Sequence, residues 1–236
     1  MIFYEQRKTY RVWLFALAVL TGAVGIAIGW YAGTRHVGDS RPAAGVGGGP
    51  GVVETAAGGK MGSTLFSLNF SLLMQDHVTR TARLMTDIYD GLNTEGDRVN
   101  LDENTVRLAD TVGDYYGSEA RTIFLQSWRD HISYFEDYVA SVKDKDAGSE
   151  SQARANLLEF TASMGQIFSR MNPHLTAVAV ERGLNIHTSQ MLRIVDMHAE
   201  GNNAAEKIAI EQAKTHAKDI ADLISNGIVE QYPERF

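Results

Sequence analysis

The stretch FLQSWRDHISYFEDY, residues 124–138, decides the fold class of the chain. Trp128, His131, Phe135 and Tyr138 recur at three- and four-residue intervals, which places them on one face of a helix. The same period continues from Ser63 to the end of the 236-residue chain, in which only four prolines occur. The pattern predicts an all-α domain over residues 64–236.

Helix breakers divide this domain into six predicted helices. Gly91, Gly117 and the pair Asn172-Pro173 end helices, and Asp102 is a candidate N-terminal cap. Because four of the helices are long and two are short, we expect a four-helix bundle with the two short helices at its side or end. The predicted helices cover residues 64–89, 102–115, 118–143, 151–171, 174–198 and 204–229.

An internal repeat supports these boundaries. Aligning His131 with His187 brings the breakers Gly117 and Pro173 into register, each fourteen residues upstream. The alignment predicts that part of the domain is duplicated. The two predicted copies are residues 103–144 and 159–200, which also share the aligned pairs Ser133/Ser189 and Val139/Val195.

A second apolar stretch, VWLFALAVLTGAVGIAIGWY, occupies residues 12–31. Its uncharged length matches a bilayer core, and Trp13 and Trp30 stand near its two ends as interfacial aromatics do. Basic residues are denser before it than after it. We expect a cell-membrane protein with a cytoplasmic segment 1–11, a single transmembrane helix 12–33 and an extracytoplasmic domain. A cleaved signal peptide is the alternative, but the run is long for one and GWYAG at residues 29–33 makes a poor cleavage site.

Small residues recur every four positions in this helix, at Gly25, Gly29 and Gly33. This spacing lets another transmembrane helix approach closely, and the partner is either a second copy or another subunit. The alternative is that transmembrane helices are simply rich in glycine. Residues 34–63 are rich in Gly and Ala without a period, which predicts a flexible linker to the domain.

One histidine lies near the middle of each long predicted helix, on a face with apolar neighbours such as Leu84 or Met191. Metal sites in bundles are built from inward side chains of facing helices, and neutral imidazole suits copper and zinc. A hydrogen-bonded core histidine is the alternative at each position. The four candidate ligands are His77, His131, His187 and His216.

Asp76 and Asp130 directly precede two of these histidines. Sequence neighbours lie about 100° apart around a helix, so we expect these carboxylates to be hydrogen-bond partners of the ligands or exposed charges. No histidine follows a Glu by three residues, which disfavours a di-iron bundle.

Several function classes are excluded or disfavoured. The absence of cysteine excludes disulfides, zinc fingers and thiol catalysis. No Gly-x-Ser-x-Gly, phosphate loop or HExxH motif occurs, and we expect no enzymatic activity. Residues 1–63 hold six of the 22 Lys and Arg and three of the 29 Asp and Glu, so residues 64–236 carry a net charge of about −10. Such a domain repels nucleic acids.

Three segments resemble a group of poorly characterised prokaryotic helical-bundle proteins that are exported or membrane-anchored. They are LLMQDHVTRTARLM, the YYGSEA and FLQSWRDHI block, and the tail ADLISNGIVEQYPERF. The tail is the most specific part, although it carries Tyr232 where the group has Phe. The resemblance implies the fold and the export, and it suggests that His77 and His131 belong to a recurring pattern, but it implies no activity.

The sequence therefore leads to two functional hypotheses. The first is a membrane-tethered extracytoplasmic bundle that binds copper or zinc through one histidine per long helix. The alternative is an accessory or structural subunit of a membrane complex that holds no metal.

Overall fold

The structure, a computed structural model, describes residues 55–236, with their side chains from residue 61 onward. Over this range the chain is helical apart from short connections and contains no strand, so the all-α prediction is confirmed. The helices are α1 (Thr55–Asp90), α2 (Glu95–Asp144), α3 (Ala147–Met171), α4 (Ala177–Ala199) and α5 (Asn203–Gln231), followed by a 3-10 helix (Pro233–Arg235).

Much of the predicted N-terminal region lies outside the described residues. This applies to the cytoplasmic segment 1–11, the transmembrane helix 12–33 with Gly25, Gly29 and Gly33, and most of the linker 34–63. Residues 55–63 of that predicted linker are helical, because α1 begins at Thr55. Among the described residues, no helix combines the length and the apolar character that crossing a bilayer requires.

Helix α2 reverses direction at Gly117. The backbone there has φ 86° and ψ 176°, a non-helical conformation with a positive φ that glycine adopts readily. The ion pairs that join the residues on its two sides are Asp110–Arg121, Asp102–Arg129 and Arg98–Glu136. The farther a residue lies after Gly117 in the sequence, the farther its ion-pair partner lies before Gly117. The first arm of α2 (95–116) and its second arm (118–144) therefore run antiparallel.

Residues 55–236 form three antiparallel hairpins. Helix α1 pairs with the first arm of α2, the second arm of α2 pairs with α3, and α4 pairs with α5. Helix α3 also packs against α4, and α5 packs back against α1, so six segments close into a ring. The two segments predicted at the side or end of a four-helix bundle, the first arm and α3, are full members of this ring, because each buries an apolar face.

Side-chain caps set the helix starts that differ from the prediction. Asp146 accepts hydrogen bonds from backbone amides at the start of α3, and Thr176 and Asn202 cap α4 and α5 in the same way. The predicted cap Asp102 instead lies inside α2, where its carboxylate accepts two hydrogen bonds from Arg129. Helix α3 therefore begins earlier than predicted and α4 begins later. Helix α2 also begins earlier, at Glu95, but without a side-chain cap.

The C-terminal tail packs against the first hairpin. The ring of Phe236 lies 5.1 Å from the ring of Phe66 on α1 and 5.7 Å from that of Tyr115, at the end of the first arm of α2. The guanidinium of Arg235 lies over the same Tyr115 ring at 4.4 Å. The tail thus joins the last segment of the ring to the first.

Close packing of α3 against α4 depends on Gly165. A Cβ atom at this position would lie 2.6 Å from the carbonyl oxygen of Ala177, which is a backbone atom and cannot move aside cheaply. We expect Gly165→Ala to lower the free energy of unfolding by about 2 kcal/mol, measured by chemical denaturation. The matched control is Gly96→Ala, where an added Cβ meets nothing within 4 Å. That change should be neutral or stabilising by about 0.5 kcal/mol, and equal losses in both variants would contradict the packing argument.

Candidate metal centre

Three of the four predicted ligands meet inside the ring of helices. Each lies in the first segment of a hairpin: His77 in α1, His131 in the second arm of α2 and His187 in α4. One ring nitrogen from each lies within 4.8 Å of the other two, and the Nε2 atoms of His77 and His131 are 3.4 Å apart. No more than 1% of any of the three residues is exposed. The three histidines are therefore close enough to hold a metal ion.

The equivalent positions of the three histidines extend the predicted duplication. The two predicted copies contain His131 and His187 but not His77. The structure places His77 in the equivalent position, in the first segment of a third hairpin. Its sequence signal is Asp76-His77, which aligns with Asp130-His131 at a separation of 54 residues. Each hairpin thus supplies one imidazole to the centre.

Asn104, in the first arm of α2, holds the ring of His77. The Nδ1 atom of His77 lies 3.2 Å from Asn104 Oδ1, while Asn104 Nδ2 donates to Leu73 O and to Asp76 Oδ2, each at 3.0 Å. Because the amide nitrogen already donates to two oxygens, Oδ1 must accept a hydrogen bond from His77 Nδ1–H. The Nε2 lone pair of His77 therefore faces the other two histidines.

Asn104 was not among the predicted site residues, although it leaves a signal in the sequence. It is the single amide on the buried face of the first arm, which also carries Thr105 and apolar residues such as Leu101 and Leu108. Asp76 is connected to His77 through this amide.

Aromatic rings surround His131, which lies on the second arm of α2. The ring of His131 stacks on Phe160 with centroids 4.6 Å apart, and the rings of Trp128 and Phe135 lie 4.8 and 5.5 Å from it. Such walls exclude water and leave the imidazoles in a region of low polarity. The environment favours the neutral form of each ring.

Burial lowers the pKa of all three histidines. Loss of hydration lowers the pKa of His77 to about 4, against a smaller opposing effect of the Asn104 hydrogen bond. Burial, together with smaller effects of the nearby His77 and His216 rings, lowers the pKa of His187 to about 3. The pKa of His131 is held well below its usual range by burial and by the two neighbouring histidines. At neutral pH all three rings are uncharged and able to act as ligands.

Several buried nitrogen atoms of the cluster make no hydrogen bond within the described part of the chain. They are Nδ1 of His131 and both ring nitrogens of His187. The backbone carbonyl groups of Ser127 and Trp128 raise the pKa of His131 slightly, but neither makes a well-formed hydrogen bond to Nδ1. A buried polar atom without a partner costs about 1–3 kcal/mol. A metal ion would give His187 a partner, so the residues present fit one.

The fourth predicted ligand, His216, lies outside the cluster. Its Nε2–H donates to the carbonyl oxygen of Gly183 at 2.9 Å, which links α5 to α4 within one hairpin. The carboxylate of Asp130 accepts a hydrogen bond from Gln126, one turn away on the same arm, at 3.0 Å. The structure thus brings together three of the four predicted ligands; His216 lies in the second segment of its hairpin, whereas the other three lie in first segments.

No protein-family model, curated protein or solved structure matches the chain. The resemblance to exported helical-bundle proteins therefore stays a prediction. The buried histidine group is the feature of the described residues on which a functional assignment depends.

Proposed function

We propose that the chain is a metal-binding bundle that holds one copper or zinc ion between His77, His131 and His187. The observation that carries the proposal is the convergence of three buried ring nitrogens within 4.8 Å. Imidazole is a good ligand for both ions, and a ligand must be deprotonated to bind them. The lowered pKa values meet that condition at neutral pH.

The tautomer of His77 suits this role. With Nδ1–H committed to Asn104, Nε2 is available as a ligand atom. Metal-binding histidines characteristically donate their second N–H to a carbonyl, carboxylate or similar acceptor, which fixes the ring. Without an ion, His131 Nε2–H donates to His77 Nε2 across 3.4 Å, and an ion would take the place of that proton.

We place this bundle outside the cytoplasm, tethered to the cell membrane by residues 12–33. The support comes from the sequence: an uncharged apolar stretch with aromatic ends, and a small excess of basic residues before it. A role as an accessory subunit is the alternative, favoured by the spacing of Gly25, Gly29 and Gly33. The two roles are compatible, since a subunit of a membrane complex can also bind metal.

Metal analysis of the purified full chain in detergent tests the proposal. We expect one equivalent of copper or zinc after reconstitution and removal of loose ions, and its loss in His77→Ala, His131→Ala and His187→Ala. With free metal at 1,000 times its dissociation constant, the ion should stabilise the wild type by about 4 kcal/mol. Circular dichroism would verify that each variant remains helical.

The chain supplies a matched control in His216→Ala. This variant removes an imidazole that is hydrogen-bonded to Gly183 rather than to the cluster, so it should keep its equivalent of metal. A wild type that neither retains an ion nor gains thermal stability from one would rule out the proposed function. Equal loss of metal in His216→Ala and His187→Ala would point to adventitious binding.

A further inference from the structure

The proposed ligand set carries no negative charge. Among the described residues, the group close enough to share an ion consists of His77, His131 and His187, with no carboxylate among them. All three imidazoles are neutral when they bind. The full charge of an ion would therefore remain at the centre of the bundle.

The carboxylate connected to the site is already paired. Asp76, which reaches His77 through Asn104, forms ion pairs with Arg80 at 2.7 Å and Arg107 at 3.8 Å. Its side chain is also 37% exposed, so solvent screens the charge that remains. Asp76 fixes the orientation of the ligand but does not neutralise an ion.

The surroundings make an uncompensated charge costly. Phe160 stacks on the ring of His131, and Trp128 and Phe135 lie against it, so water is largely replaced by aromatic carbon. The cost of moving an ion from water into such a medium rises with the square of its charge, which makes it about four times larger for a dication than for a monocation.

The spacing of one ligand pair agrees with three-coordination. Three nitrogen atoms about 2.0 Å from a central ion lie about 3.5 Å apart in a trigonal plane, and the Nε2 atoms of His77 and His131 are separated by 3.4 Å. Zinc with three protein ligands normally takes a fourth from water. Monovalent copper, a closed-shell ion, is satisfied by three ligands.

We infer that the three-histidine site selects monovalent copper, Cu(I), over divalent zinc. The inference rests on the proposed metal-binding function and refines it. The neutral ligand set, the paired state of Asp76 and the aromatic walls all act against the higher charge. A zinc ion would have to bring an anion or a hydroxide with it as a fourth ligand.

Competition titrations of the full chain in detergent test this selectivity. Cu(I) would be supplied without oxygen in the presence of a Cu(I)-specific chelator, and zinc in the presence of a zinc chelator, at one pH and one salt concentration. We expect Cu(I) to bind at least about 100-fold more tightly, which corresponds to about 2.7 kcal/mol. X-ray absorption of the copper-loaded chain should show three nitrogen ligands.

The possible outcomes separate this inference from the function on which it rests. Zinc binding as tight as Cu(I), or tighter, overturns the selectivity but leaves a metal-binding bundle in place. Failure of both ions to bind overturns both.

Two charge variants test the cause of the selectivity. Asn104→Asp would place a carboxylate against His77 Nδ1, and we expect it to reduce the ratio of Cu(I) to zinc affinity about tenfold. Because this change also disturbs contacts to Leu73 and Asp76, the double change Arg80→Gln with Arg107→Gln serves as a second test, at the surface, that leaves every ligand intact. It should reduce the ratio in the same direction, and an unchanged ratio in this folded variant would contradict the charge argument.

Discussion

Replacing His187 with leucine should raise the melting temperature of the metal-free chain and abolish its stabilisation by metal. Both ring nitrogens of His187 are buried without a hydrogen-bond partner among the described residues, and leucine fills a similar volume without polar atoms. Removing two such atoms should add about 2 kcal/mol or more to the free energy of unfolding. For a chain of this size that is about 4–8 °C, measurable by thermal denaturation followed by circular dichroism.

With saturating metal, the wild type should be more stable than His187→Leu, the reverse of the order expected without metal. With two histidines left, the stabilisation of about 4 kcal/mol expected for the wild type at saturating metal should fall below about 1 kcal/mol. His216→Leu is the control, because it removes a satisfied hydrogen bond to Gly183 and should lower stability by about 1 kcal/mol with or without metal. A His187→Leu protein that is less stable without metal, yet still stabilised by it, would contradict the assignment.

Acid should begin to destabilise the metal-free chain near pH 6.5, above the pH at which carboxylates titrate. The folded-state pKa is about 4 for His77 and about 3 for His187, and it is well below the usual value for His131, whereas unfolded histidine titrates near 6.5. Between pH 6.5 and about 4 the unfolded state therefore binds more protons, so stability falls as the pH falls through this window. Each histidine lowers the free energy of unfolding by at most about 1.4 kcal/mol per pH unit, so the three together lower it by at most about 4 kcal/mol per pH unit.

Denaturant unfolding of the metal-free chain between pH 6.5 and 4.5 measures this slope. His187→Leu should reduce it by about one third. His198 has the opposite sign: burial opposes its protonation, but Asp90 and Glu206 raise its pKa overall, so its contribution is lost above pH 6.5, outside the window. Equal slopes in the wild type and in His187→Leu would show that the buried rings do not control acid stability.

The periodicity around His131 was enough to predict the helical class and the inward position of three histidines. It rests on local rules: apolar residues at helical spacing share a face, and glycine and proline interrupt helices. The breakers Gly117 and Asn172-Pro173 also mark real chain reversals. Those parts of the fold follow from short-range chemistry.

The number of ligands could not be obtained in the same way. His216 and His187 each lie near the middle of a long helix and are followed by apolar residues at helical spacing, although the face of His216 also carries Gln212 and Ala213. The decisive difference is which segment of the hairpin carries each histidine. That distinction depends on how the three hairpins close, which is a long-range property. The role of Asn104 could not be predicted locally either. It depends on hydrogen bonds to Leu73 and Asp76 of α1, which lie about 30 residues away in the chain.

The complete burial of the three imidazoles has a consequence for kinetics. With no more than 1% of any of these residues exposed, an ion has no open path to its ligands while the helices stay packed. Exchange of the ion must therefore wait for transient separation of the hairpins, a sub-global opening whose frequency depends on local stability. The residence time of a bound ion would then report the breathing rate of the bundle, and a partner that loosens one hairpin would act as a release factor.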